Sequence, residues 1–130
     1  METPHGHLLV VDDDPEMREL LRKVLEKDGY RVTAASGSCE ALALLTASPF
    51  DLIITDLLMP FDGGLALLEA IRRTSPSTPV IIVTAFGDWE SYVQAMELGA
   101  WAFISKPLRM AELTAAVHTA LAGRGATASP

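Results

Sequence analysis

Five short strand-like segments recur along the chain, Leu8–Val11, Tyr30–Ala35, Leu52–Thr55, Val80–Thr84 and Trp101–Ile104, and the first is an uninterrupted apolar run. Uninterrupted apolar runs of this length are the form a strand takes when helices cover both faces of its sheet. Leu52–Thr55 and Val80–Thr84 are strongly β-branched, which strengthens the assignment. Helical patterns follow each run. Asp14-Pro15 opens the first, with Asp14 as N-cap and Pro15 at the first helical position. Its apolar stripe is Met17, Leu20, Leu21, Val24 and Leu25, ending near Asp28-Gly29. The others are expected over Ser38–Ala47, Leu65–Arg73, Asp88–Leu98 and Arg109–Ala122, the fourth stopped by Gly99. Strict alternation of this kind implies an α/β fold: a doubly wound, five-stranded parallel sheet with right-handed crossovers and five helices.

At 130 residues the chain is one domain long and large enough to bury a core. The domain is expected over 7–122, with a flexible N-terminus over 1–6. Residues 123–130, GRGATASP, read as a flexible tail or the start of a linker. The net charge of −7 argues against direct contact with nucleic acid or an anionic membrane. The single cysteine, Cys39, excludes an internal disulfide and makes a cysteine-based metal site untenable. METPHGH lacks the basic start and apolar stretch of a secretory signal, and no apolar run approaches the ~18–20 residues of a membrane span. A cytoplasmic protein is expected.

In open parallel sheets the ligand site lies outside the carboxyl ends of the strands, where strand order reverses. The strand ends deliver Asp12-Asp13 after the first run, Asp56 after the third, Thr84 at the end of the fourth and Lys106 after the fifth. The second delivers nothing reactive, as expected of an edge strand. Two acids at about 4 Å repel by roughly 4 kcal/mol at an effective dielectric of about 20. Three acids and one lysine therefore invite a hard divalent cation. Magnesium fits an all-oxygen donor set, whereas zinc would want the histidines or cysteine, and His5, His7 and His118 lie elsewhere. Beside such a cation an anionic phosphoryl group can approach, and a carboxylate can act as nucleophile. Asp56, alone on a central strand, is the candidate. Asp12 and Asp13 suit the cation, Lys106 the charge on the phosphoryl oxygens, and Thr84 a hydrogen bond to one of them. Asp14 is left as the helix cap.

VVDDD, ITDLLMP, VTAFGD and FISKP, in this order and at these intervals, resemble the response-regulator receiver family of CheY-like domains. The resemblance covers roughly residues 7–122 and implies a flavodoxin/CheY-like sheet of order 2-1-3-4-5. It also implies a two-component function: magnesium-dependent phosphotransfer from a sensor histidine kinase, or a phosphotransfer protein, to Asp56. Asp12, Asp13, Asp56 and the backbone carbonyl of Leu58 would hold the metal. Thr84 and Phe103 would be the switch pair, and Lys106-Pro107 a cis peptide. Such a domain catalyses only its own phosphorylation and dephosphorylation. Phosphorylation would change the surface of the last helices and strand for a partner, a fused or separate output domain, or a second copy of the chain. TAFGD, A-x-x-LGA and KP are similar to receivers of nitrogen-regulation-type regulators, which implies a transcription-regulating phosphorelay.

The sequence also departs from the family. Phe61 occupies a loop position that is often small, and Leu58 and Phe86, two residues past Asp56 and Thr84, are both apolar. These two are expected to hinder attacking water and lengthen the phosphoryl lifetime. Phe86, Trp89 and Tyr92 form a candidate partner surface, since exposed aromatics anchor such contacts. Two other functions share parts of the pattern. A magnesium phosphatase of the haloacid-dehalogenase kind would want Thr or Val where Glu16 stands, and a cap domain that 130 residues cannot hold. A phosphorylation-independent interaction module would not need the complete acceptor set.

Overall fold

The computed structural model describes residues 6–56, 64–85 and 89–128. In chain order the elements are β1 (His7–Val11), α1 (Pro15–Lys27), β2 (Arg31–Ala35), α2 (Ser38–Ala47), β3 (Leu52–Thr55), α3 (Gly64–Thr74), β4 (Val80–Thr84), α4 (Trp89–Glu97), β5 (Ala102–Ser105) and α5 (Met110–Ala128). The strands form one parallel sheet of order β2-β1-β3-β4-β5. Strand order reverses beside β1, which lies between β2 and β3, and the switch point falls at the β1–β3 boundary.

Side chains alternate across a strand, and here each alternate set has its own core. Leu9, Val11, Ile53 and Ile82 face one side, where Ala41, Leu67, Leu68, Ile71 and Ala95 of α2, α3 and α4 cover them. Leu8, Val10, Leu52, Ile54, Ile81 and Val83 face the other, under Leu21 and Leu25 of α1 and Leu113, Val117 and Ala120 of α5. Burial on both faces is why β1, β3 and β4 read as unbroken apolar runs. Each fully buried leucine or isoleucine contributes about 1.5–3 kcal/mol.

The helix ends follow local chemistry. The Asp14 carboxylate accepts a hydrogen bond from Glu16 N at 3.0 Å, with Pro15 in the first turn. Gly29 and Gly99 take φ of 97° and 89° just past α1 and α4, a left-handed conformation that favours glycine. Several details differ from the sequence reading. α5 continues to Ala128, past the expected end near 122, through Gly-Arg-Gly-Ala-Thr-Ala, which holds no proline to stop it. β5 starts one residue later than its apolar run, because Trp101 precedes the first residue paired with β4 and is exposed. Leu20, a member of the first helix's apolar stripe, lies at its solvent edge. His7 is half-buried: its Nε2 is 2.7 Å from Thr33 Oγ1 and its ring centroid 4.3 Å from that of Phe50.

Candidate functional site

Register assembles the site. Val11 of β1 pairs with Thr55 of β3, so the next residue on each strand, Asp12 and Asp56, emerges at adjacent positions. Asp56 N extends the ladder by donating to Val11 O at 3.2 Å, and Asp12 N donates to Ala35 O of β2 at 3.2 Å. One strand further, Thr84 pairs with Ser105, and Lys106 N donates to Thr84 O at 2.8 Å. The Lys106-Pro107 peptide is cis.

From the end of β5 the Lys106 side chain reaches back to the switch point. Its Nζ lies 2.9 Å from Asp56 Oδ2 and 3.4 Å from Asp12 Oδ2. Asp12 is 3% exposed and Asp56 6%, while Thr84 is fully buried and Asp13 is exposed at the mouth. Carboxylate oxygens of Asp12, Asp13 and Asp56 all lie within 4.8 Å of one another, so the three could hold one cation. Burial pushes the Asp12 carboxyl above its ordinary range, an effect that Asp56 reinforces and that Asp14 N–H and Lys106 partly oppose. Burial also works against the Lys106 ammonium. Its hydrogen bond to Asp56 and the charges of Asp12 and Asp56 outweigh that, and the ammonium is held above the usual lysine range. The lysine is therefore charged and serves as internal counter-ion to a pocket with surplus negative charge.

The structure thus brings Asp12, Asp13, Asp56 and Lys106 together, with Thr84 at the adjoining strand end. Phe103 lies on β5, half-buried, two residues before the strand's last residue, Ser105. Its ring meets Tyr92 edge-on, with centroids 5.5 Å apart at 78°. Tyr92 in turn stacks on Trp89 at 5.6 Å and 27°. Both are exposed, Trp89 at 76%, so two members of the expected partner surface share a solvent-facing side of α4. Leu58, Phe61 and Phe86 lie outside the described residues. Sequence reasoning missed Arg18, whose Nη1 donates to the Asp12 backbone carbonyl at 2.7 Å. Its only sequence signal is a basic residue one turn after the Asp14 cap.

A doubly wound sheet with carboxylates at its switch point, bridged by a lysine that reaches back from the end of edge strand β5, defines a CheY-like class of α/β domain. Comparisons with known proteins make this specific. Residues 8–118 match the family model of the response regulator receiver domain, and the chain belongs to that family. It is 40% identical over 113 residues to the response regulator protein PilR of Pseudomonas aeruginosa, covering 87% of this chain and 25% of that protein. It is 39% identical over 116 residues to the transcriptional regulatory protein GlrR of Escherichia coli, covering 89% of this chain and 26% of that one. The chain thus spans about a quarter of the length of these two curated relatives. Among solved structures, a CheY-like receiver domain protein of Methanospirillum hungatei superposes with a TM-score of 0.91 at 30% identity, covering 93% of this chain and 97% of that one. A receiver domain protein of Clostridium thermocellum gives 0.88 at 32%, covering 94% and 98%. The chain is a response-regulator receiver domain of the two-component type, and phosphorylation-dependent signalling fits its architecture. No helix among the described residues is long and apolar enough to cross a membrane.

Proposed function

We propose that Asp56 accepts a phosphoryl group from a sensor histidine kinase or a phosphotransfer protein. The observation that carries this is the Asp56 carboxylate, buried at the switch point with Lys106 Nζ 2.9 Å away and two further carboxylates beside it. In the transfer an Asp56 oxygen attacks phosphorus, the bond from phosphorus to the donor nitrogen breaks, and that nitrogen keeps the electron pair. Lys106 stays charged through the step and offsets charge on the phosphoryl oxygens, while Thr84 donates a hydrogen bond to one of them. Hydrolysis of the acyl phosphate returns Asp56 to a carboxylate, so the domain acts on no substrate but itself.

The donor set fits magnesium: an all-carboxylate cluster with one exposed member, Asp13, where a zinc site would want histidine or cysteine. Asp12, Asp13 and Asp56, with the Leu58 carbonyl, would hold the ion, which supplies positive charge to neutralise the incoming phosphoryl group.

PilR and GlrR are regulators by name, the second a transcriptional one. By that likeness the domain serves a transcription-regulating phosphorelay in the cytoplasm. Thr84 and Phe103 form the switch, and Phe86, Trp89 and Tyr92 meet an output domain or a second copy of the chain. Exposure of the Trp89–Tyr92 stack and its contact with Phe103 support this face.

The test is incubation with acetyl phosphate, with magnesium or with a chelator, followed by intact-mass measurement. One phosphoryl group per chain is expected, dependent on magnesium and absent from Asp56→Asn. A label on another residue would overturn the assignment. Repeated turnover of a small phosphate ester would favour a phosphatase, and failure to bind beryllium fluoride an interaction module.

A further inference from the structure

Every polar group of Asp12 has a partner. Its N–H is held by Ala35 O, Oδ1 accepts from Asp14 N at 2.9 Å, and Oδ2 faces Lys106. The fourth group, the backbone carbonyl, is held by Arg18 Nη1 at 2.7 Å, from the second turn of α1. That carbonyl belongs to the peptide joining Asp12 to Asp13, and a peptide unit is planar. A donor that fixes its oxygen fixes the plane, and with it the direction in which the chain enters Asp13. Asp12 is locked by burial as well. Asp13 is exposed and has no such packing, so the peptide plane matters most for its carboxylate.

We infer that Arg18 is a positioning residue for the cation-binding carboxylates, holding the Asp12–Asp13 peptide so that both side chains converge with Asp56. This rests on the magnesium reading above. The guanidinium suits the task, since it is always charged and its rigid fork loses little freedom per hydrogen bond. Its own charge is adverse to a nearby cation. Glu40, which accepts from Ser36 N at 2.8 Å and Oγ at 3.1 Å, lies close enough to Arg18 to feel that charge and partly offsets it.

Position and charge thus predict opposite signs. If Arg18 acted only as a nearby positive charge, removing it would tighten magnesium binding. If it positions the carboxylates, removal weakens binding, by about tenfold as for other residues that orient metal ligands. The experiment is calorimetric titration of the whole chain with magnesium chloride, comparing wild type, Arg18→Ala, Arg18→Lys and Arg22→Ala. Arg22 lies on the same helix and pairs only with Glu19 and Glu26 among the contacts described, so it controls for charge. Arg18→Ala is expected to weaken binding about tenfold, Arg18→Lys by less, and Arg22→Ala to leave it within about twofold of wild type. In the metal-free protein, amide exchange at Asp14, whose N–H rests on Asp12, is expected to accelerate in Arg18→Ala while the rest of α1 keeps its protection. If Arg18→Ala fails to fold, Arg18→Lys decides, because it keeps the charge and loses the fork. Unchanged or tighter binding in the folded variants overturns the inference. A wild type that binds no magnesium overturns the metal reading itself, a result distinguishable from the first.

Discussion

Replacing Lys106 by methionine keeps most of the stem and deletes the ammonium facing two buried carboxylates. Unit charges 2.9 and 3.4 Å apart attract by about 5.7 and about 4.9 kcal/mol at an effective dielectric of about 20. The variant cannot lose that gross sum. Burial of the ammonium already opposes the attraction, and a carboxyl left without its counter-ion can take up a proton. Protonating a carboxyl of ordinary pKa, near 3.9, costs about 4 kcal/mol at pH 7 and about 1.5 kcal/mol at pH 5. That cost is the ceiling, and Asp12, already pushed upward by burial, is the group to take the proton. The expected deficit is about 3–4 kcal/mol at pH 7, the range for breaking a buried pair, and about 1–1.5 kcal/mol at pH 5.

The sign follows from linkage. A carboxyl whose folded pKa exceeds its unfolded value contributes stability below the unfolded value and loses it as pH rises through the folded one. Without Lys106 the folded value of Asp12 rises further, so the gap between variant and wild type widens with pH. Urea denaturation at pH 5, 6, 7 and 8 without divalent cations measures it. Magnesium at ten times its dissociation constant should add about 1.4 kcal/mol to either protein. A deficit that does not change between pH 5 and 8 would refute the electrostatic argument and leave lost stem packing as the cause.

Two further substitutions separate the scaffold from the site. Asp14→Ala removes the cap on Glu16 N and should cost about 1 kcal/mol by urea denaturation, with stoichiometric labelling of Asp56 retained. Gly99→Ala places a Cβ at φ 89° and 3.3 Å from Arg72 Cδ, so a loss of about 1–2 kcal/mol is expected, read as a fall in Tm of roughly 4 °C per kcal/mol.

The strands most legible in the sequence were those buried on both faces. Leu52–Thr55 and Val80–Thr84 match β3 and β4 residue for residue, since no polar position interrupts them. The site was legible for the same reason: in a parallel sheet, reactive residues just past apolar runs must share one rim. What stayed hidden depends on side-chain reach. Nothing in the spacing of Lys106 says that it touches both Asp12 and Asp56 across two strands. Arg18 occupies a helix position that any polar residue could fill, and only its bond to Asp12 O distinguishes it. The Tyr92–Phe103 contact joins two elements whose relative placement is set by tertiary packing. Leu20 fits its stripe by period, yet a stripe is wider than the core it covers.

The pairing of Val11 with Thr55 has a consequence for how such a chain can change over time. Side chains alternate with period two, so a one-residue slip of β3 against β1 would bring Thr55 or residue 57 into the position of Asp56 and turn the two hydrophobic layers inside out. Residues can be gained or lost in the connections between strands without moving a single carboxylate. The step from each buried strand to its acid tolerates none. Insertions and deletions should therefore gather at the opposite rim of the sheet, in the links entering the strands, such as 28–30, 48–51 and 75–79, where they alter length and leave chemistry alone.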